Sequence, residues 1–183
     1  HGSIRALVVG EDDRPPTEEE LELMREQVAL GMEQGAFGLS SGLIYAPGRF
    51  ADTDEVVELA RVAGQYNGMY ISHMREEGLA LLDSVAETIL IGEEAGLPTQ
   101  LTHHKVVGAP MWGASADSLR LVDEAIERGV DVSIDQYPYT ASSTNLMILF
   151  PGWALDGGRE ALLARMADPS QRQRLRNDII YNI

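Results

Sequence analysis

Two stretches decide the fold: Tyr70 to Gly78, which reads YISHMREEG, and Thr99 to Gly108, which reads TQLTHHKVVG. In the first, a short apolar run ends at His73. In the second, thirty positions later, a similar run ends at His103 and His104 and is followed by Lys105. Short apolar runs bounded by polar residues predict buried strands. Three of the chain's four histidines therefore stand where predicted strands end.

The two stretches belong to a repeated pattern of helix, glycine and strand. Helical periodicity and capping signals predict helices at residues 18–34, 52–65, 79–95 and 116–128, the first beginning with a capping box of Thr17 and Glu20. Strands are predicted at residues 36–43, 69–75, 98–106 and 130–139. The closing glycines, which are spaced by 33, 28 and 33 residues, are Gly35, Gly68, Gly96 and Gly129. This spacing is close to the roughly 30 residues of one strand with its crossover helix.

Repeated strand-helix units predict a parallel α/β fold. The predicted strands are nearly continuous apolar runs, which is typical of strands covered on both faces. Four units in register favour a β/α barrel, and a doubly wound sheet remains the alternative. After Tyr139 the rhythm stops, and residues 159–166 and 169–179 are predicted as two short polar helices outside the barrel.

Composition excludes several classes of protein. A net charge of -15 opposes binding to nucleic acid or to anionic membranes. The chain has no cysteine, so disulfides, a thiolate nucleophile and a cysteine-bound metal are excluded within it. No apolar run approaches the roughly 18 residues of a membrane span, and no signal segment is recognisable, so we expect a cytoplasmic protein.

The positions of the polar residues predict where a site would form. In a β/α barrel the functional groups lie at the carboxyl ends of the strands. His73, His103, Tyr137 and Ser41 all fall at such ends. Two histidines in consecutive units are expected to reach one metal ion. Only one of His103 and His104 is expected to face the barrel axis, and the sequence leaves open which one binds the metal.

Four motifs in order carry a family resemblance: GAFGLSSGLIYAPG, YISHMREEG, LTHHKVVG and SIDQYPYTASST. Together they resemble the N-acyl-D-amino-acid deacylases, or D-aminoacylases, of the amidohydrolase superfamily, over residues 35–144. The resemblance implies part of a (β/α)8 TIM-type barrel, with about four or five consecutive strand-helix units. Residues 1–144 would be the central part of the barrel, and residues 145–183 a loop and short helices inserted after the seventh strand.

The resemblance also implies roles for single residues. It makes His73 and His103 ligands of a catalytic zinc ion, and it gives Lys105 and Tyr137 the task of holding or polarising the substrate. Arg75 is a further cation for the substrate carboxylate, with a salt bridge to Glu76 or Glu77 as the alternative. The remaining residues expected to bind substrate are Ser41, Ser142, Ser143 and Thr144.

The implied activity is zinc-dependent hydrolysis of the amide bond of small N-acyl-D-amino acids. The family's HxH pair and metal-binding cysteine would lie before this segment and its catalytic aspartate after it, so we expect a fragment that is inactive alone and self-associates through exposed barrel edges. One alternative is a cyclic-amide hydrolase related to dihydroorotase or hydantoinase. Those enzymes usually carry a metal-bridging lysine on the fourth strand, and the predicted strand 36–43 has none. The other alternative is a non-catalytic structural or partner-binding piece.

Overall fold

The computed structural model describes residues 1–182, which form eight helices and four strands. The helices are α1 (Gly2–Val8), α2 (Glu18–Glu33), α3 (Thr53–Gln65), α4 (Leu81–Ala95), α5 (Ser115–Glu127), α6 (Gly152–Leu155), α7 (Gly158–Ala167) and α8 (Pro169–Asn182). The strands are β1 (Gly38–Gly42), β2 (Met69–His73), β3 (Thr99–Leu101) and β4 (Val132–Ile134). Short 3₁₀ turns lie at Gly48–Phe50, Ala109–Met111 and Leu146–Leu149.

The four strands form one parallel sheet whose spatial order, β1-β2-β3-β4, is the order along the chain. Because crossovers between parallel strands are right-handed, an unreversed order puts α3, α4 and α5 on the same face. A doubly wound sheet needs a point where the strand order reverses, and the described strands have none. The topology is therefore that of consecutive barrel units.

Burial alternates along the strands, which corrects the expectation of strands covered on both faces. Leu39, Tyr70 and Leu101 are buried and pack in the cores on the helix-covered face. Between them, Ser40 and Ile71 are more exposed, and His73 follows on the same side as Ile71. The other face of the sheet is uncovered within residues 1–182, and it is the face that carries His73.

Capping residues and closing glycines in the sequence predict the positions of the helices well. Thr17 and Glu20 form the predicted capping box of α2, and the Asp52 side chain accepts from the Glu55 backbone N–H at the start of α3. Gly96 ends α4 in a left-handed conformation, which a residue without Cβ adopts at little cost. The last two predicted strands are much shorter than expected, three residues each.

Residues 145–182 form a small cluster of their own beside the sheet. Leu155, Leu162 and Leu175, from α6, α7 and α8, bury their side chains together with Phe50 packed against them. The two predicted polar helices correspond to α7 and α8. The boundary predicted at residue 145 stays a prediction, and Ile183, at its far end, lies outside the described residues. Among residues 1–182 no helix is both long and apolar enough to cross a membrane.

Candidate metal centre

His73 occupies the last position of β2, directly opposite Gly42 of β1 in the sheet register. Its backbone carbonyl accepts a hydrogen bond from the Leu43 backbone N–H, at 3.0 Å, so its position is fixed by the sheet. Its imidazole is half-buried on the uncovered face. The strand end therefore directs this side chain to the inner side of the barrel segment.

His103 and His104 lie just beyond β3, in a turn rather than in the strand. His103 has a φ of 44°, a left-handed conformation that non-glycine residues rarely adopt. Its backbone N–H donates to the Asp135 carboxylate, and the His104 N–H donates to the Asp135 carbonyl oxygen at 2.9 Å. The left-handed turn sends the two imidazoles in opposite directions.

The inward imidazole is that of His103. Its Nε2 and the Nδ1 of His73 are in direct contact, and the two ring centroids are 4.4 Å apart. Burial, and secondarily the His103 ring, lower the pKa of His73, which favours the neutral form that binds metals. Two nitrogens from neighbouring strand ends thus converge on one point.

The outward imidazole is that of His104. It is buried, and its Nε2 lies 2.9 Å from the Ser118 hydroxyl on α5. The Ser118 hydroxyl in turn donates to the Ser115 carbonyl oxygen at 3.1 Å. Burial lowers the pKa of His104. These contacts give His104 a packing role on the helix-covered side.

Lys105 lies beside His103 and is held by an acidic partner that sequence reasoning had linked only to Arg75. The Lys105 Nζ donates to Glu77 Oε1 at 2.6 Å and to the His103 carbonyl oxygen at 2.9 Å. It also lies 2.8 Å from His103 Nδ1. The sequence signal for Glu77 is the pair of adjacent glutamates in the EEG stretch. The sequence alone does not say which of the two glutamates points inward.

Tyr137 lies near both His103 and Lys105. Its ring centroid is 6.2 Å from that of His103 and 5.6 Å from Lys105 Nζ. Its hydroxyl is buried and has no hydrogen-bond partner among the described residues. An unpartnered buried hydroxyl is costly, so it marks a place where a ligand atom would be stabilised.

The contacts of Arg75 do not favour the predicted role in binding the substrate carboxylate. Its guanidinium makes a two-point ion pair with Glu87, with nitrogen-oxygen distances of 2.7 and 2.9 Å. It also donates to the carbonyl oxygens of Arg49 and Ala51, at 3.0 Å each. The alternative of a salt bridge agrees with these contacts, although the partner is Glu87 on α4 and not Glu76 or Glu77.

The predicted substrate-binding hydroxyls are scattered. Ser41 is buried, with its hydroxyl 2.6 Å from the Tyr70 hydroxyl on the helix-covered face. Thr144 is exposed and its hydroxyl lies 2.9 Å from the Tyr45 hydroxyl. Ser142 and Ser143 are exposed in the neighbouring loop. No described hydrogen bond links these four hydroxyls to the two histidines, although Ser41 lines the same cavity as His73.

Two cavities have Tyr45 in their linings, and only the larger of the two adjoins a residue of the centre. The larger, of about 420 Å³, is lined by residues that include Ser40, Gly42 and His73. The smaller, of about 200 Å³, is mostly apolar and includes Ile44, Met147 and Leu155. Tyr45 and the residues around it therefore separate the histidine side from an apolar recess.

As a metal site the centre is incomplete by itself. No group of three or more His, Asp or Glu side chains within residues 1–182 is placed to hold a metal ion. His73 and His103 supply two converging nitrogens, which are suitable zinc ligands, but a catalytic zinc normally keeps three protein ligands. The residues present fit part of a zinc site.

Comparison with known proteins identifies the relatives of this arrangement. The chain matches no protein-family model. It is 40% identical over 146 residues to a D-aminoacylase of Alcaligenes xylosoxydans xylosoxydans, a match that covers 80% of this chain and 30% of the relative. The chain thus spans about 30% of the length of this curated relative. The similarity confirms the resemblance drawn from the motifs.

Solved structures give the same result for the fold. A D-aminoacylase structure that addresses the role of its binuclear metal centre aligns with a TM-score of 0.77 at 35% identity, over 82% of this chain and 32% of that one. An N-acyl-D-glutamate deacylase from Bordetella bronchiseptica, in complex with zinc and a phosphonate mimic of the tetrahedral intermediate, aligns with a TM-score of 0.73 at 36% identity, over 76% of this chain and 29% of that one. The parallel sheet and its helices are thus similar to a segment of these two structures.

Proposed function

Because the chain is a relative of the N-acyl-D-amino-acid deacylases, we propose that it forms the central part of the catalytic barrel of a zinc-dependent hydrolase that cleaves the amide bond of N-acyl-D-amino acids. The observation that carries the proposal is the convergence of His73 Nδ1 and His103 Nε2 at neighbouring strand ends. In this assignment residues 1–144 belong to the barrel, and residues 145–183 belong to an insertion that follows the strand β4.

Zinc is the metal proposed for this centre. His73 and His103 would hold it together with at least one ligand from outside the described residues. Bound zinc supplies a water whose pKa is lowered toward about 7 and an electrophile for the amide carbonyl. Neutral imidazoles are suitable ligands, and the lowered pKa of His73 keeps its ring neutral at physiological pH.

The chain's own residues would bind and orient the substrate beside the two histidines. The free Tyr137 hydroxyl is placed to donate to a substrate oxygen, and a donor fixed in advance stabilises developing negative charge. Lys105 supplies positive charge beside His103. Ser142, Ser143 and Thr144 stay predicted contacts to the substrate carboxylate.

The alternatives are less well supported. The relatives that match this chain are named for linear N-acyl-D-amino acids, and β1 has no lysine to bridge two metals as in the cyclic-amide hydrolases. A non-catalytic role offers no reason for the converging nitrogens and the free Tyr137 hydroxyl. Small-molecule partners are thus favoured, while a cytoplasmic location and self-association stay predictions.

Zinc binding by the chain tests the proposal directly. We expect His73→Asn and His103→Asn each to weaken zinc binding by the chain, measured by competition with a chromophoric chelator, because each removes one of the two converging ligands. In an enzyme that contains this segment, the same changes should lower deacylation of N-acetyl-D-amino acids by orders of magnitude. His104→Asn is the matched control, since its ring points to Ser118. Equal, small effects of all three changes would contradict the proposal.

A further inference from the structure

The candidate centre contains a carboxylate whose place beside the metal ligands follows from the structure. In the sequence Glu76-Glu77-Gly78, the two glutamates have different tasks. The Glu76 carboxylate accepts from the Gly78 backbone N–H at 2.8 Å and from the Ala80 N–H at 2.5 Å, so it holds the loop that begins α4. The Glu77 side chain is only 14% exposed and faces His103 and Lys105.

Glu77, Lys105 and His103 form a triangle of polar atoms. Glu77 Oε1 lies 2.6 Å from Lys105 Nζ and 3.1 Å from His103 Nδ1, and the two nitrogens are 2.8 Å apart. His103 Nδ1 can serve only one partner at a time. In the structure Nδ1 lies at hydrogen-bond distance from the Lys105 ammonium, from which it accepts when it has no proton. When Nδ1 has a proton, the Glu77 carboxylate 3.1 Å away is the acceptor beside it.

Zinc binding determines which of these two states His103 adopts. A neutral imidazole has one proton, so a ring that binds zinc through Nε2 must carry its proton on Nδ1. A metal-bound histidine almost always donates that proton to a carboxylate, a carbonyl oxygen or water. Glu77 Oε1 is the carboxylate oxygen within reach of Nδ1 among the described contacts.

We propose that Glu77 is a positioning residue that accepts the Nδ1 proton of His103 and so holds Nε2 ready for zinc. The inference rests on the proposed zinc site and deepens it. Lys105 loses little in this state, because its ammonium keeps Glu77 Oε1 and the His103 carbonyl oxygen as acceptors. Glu77 also compensates the positive charge of Lys105, which would otherwise oppose a cation at His103.

The test is zinc affinity of the 183-residue chain, measured by chelator competition for four variants. Glu77→Ala should weaken zinc binding by about 10-fold to 100-fold, the usual cost of losing such a partner. Glu77→Gln should recover part of the loss, since its amide oxygen still accepts a proton while its charge is gone. Lys105→Met should not weaken binding. Glu93→Gln is the control for the loss of a negative charge, because Glu93 forms an exposed ion pair with Arg128.

NMR spectroscopy shows whether His103 Nδ1 carries a proton. The chain has four histidines, so the ring nitrogens are assignable by long-range proton-nitrogen NMR correlation. Zinc should move the His103 Nδ1 resonance to the shift of a protonated nitrogen in the wild type. In Glu77→Ala this change should need more zinc, and circular dichroism will show that the variant is folded.

The outcomes separate this inference from the proposed function. Zinc binding that depends on His73 but is unchanged by Glu77→Ala would overturn the role of Glu77 and leave the zinc site standing. Binding that is indifferent to His73→Asn would overturn both. Weaker binding in Lys105→Met than in Glu77→Ala would show that Lys105, and not Glu77, holds the ring.

Discussion

At the scale of single residues, the sequence predicts which side chains would carry chemistry but not which atoms they contact. It left open whether His103 or His104 turns inward, because alternation along a strand applies only while the strand lasts. The strand β3 ends at Leu101, and the left-handed turn at His103 makes the choice. Arg75 was identified as a cation, yet its partner Glu87 is twelve residues away on α4, beyond the reach of any local pattern.

The capping box of α2 is a residue-scale feature with a testable pH dependence. A hydrogen bond from Arg14, and then one from the Thr17 backbone, lower the pKa of Glu20 to about 2. A lowered pKa in the folded state stabilises the protein above the ordinary pKa of 4.5, and this stabilisation is lost as the pH falls from 4.5 toward about 2.

Glu20→Gln is therefore expected to lower the free energy of unfolding at pH 7 and to have little effect at pH 2, as measured by urea denaturation. Glu19→Gln, in the same first turn, is the matched control and should show a smaller effect at pH 7. An equal difference from the wild type at both pH values would contradict the ionic role of Glu20.

At the scale of elements, helices were predictable and strands only in part. The starts of α2 and α3 follow from capping residues, and α2, α4 and α5 end within two residues of a glycine. Both signals act within one turn of the chain. The lengths of β3 and β4 depend on pairing with strands that are distant in sequence. The predicted strands have nine and ten residues, whereas β3 and β4 have three residues each. The arginine-rich α8 and the 3₁₀ turns carry no strong period in the sequence.

The close packing of α4 on β3 provides an element-scale prediction. A Cβ added to Gly92 would lie 2.1 Å from Thr99 Oγ1, which is far inside van der Waals contact. Gly92→Ala should destabilise the fold although alanine favours helices, because α4 must shift away from β3. Gly31→Ala in α2 is the control, since a Cβ there meets nothing within 4 Å, and it should stabilise by about 0.5–1 kcal/mol. Both changes are measured by thermal or urea unfolding, and a stabilising Gly92→Ala would contradict the tight contact.

At the scale of the whole molecule, the regular glycine spacing predicted consecutive strand-helix units and favoured a barrel, but it left a doubly wound sheet as the alternative. What it did not predict was the exposed inner face. Burial alternates on β1 and β2 because helices cover one face of the sheet while the other, which carries His73, is open within the described residues. In a closed barrel that face would be filled by side chains of the remaining strands. In the sequence the strands are nearly continuous apolar runs, which predict burial on both faces and give no sign of the open one.

The open face supports a prediction about the activity and association of the 183-residue chain alone. Supplied with zinc, the 183-residue chain should not hydrolyse N-acetyl-D-amino acids above background, because residues 1–182 place two imidazoles, and no group of three ligands, for one metal ion. Its outer strand β4 also has no further strand beside it among the described residues, so we expect self-association. Turnover and mass by light scattering are measured on the same sample, with a complete D-aminoacylase as the positive control. Robust turnover by a monomer would show that the ligands and the proton-transfer group are all present within this chain, contrary to the two-ligand centre described above.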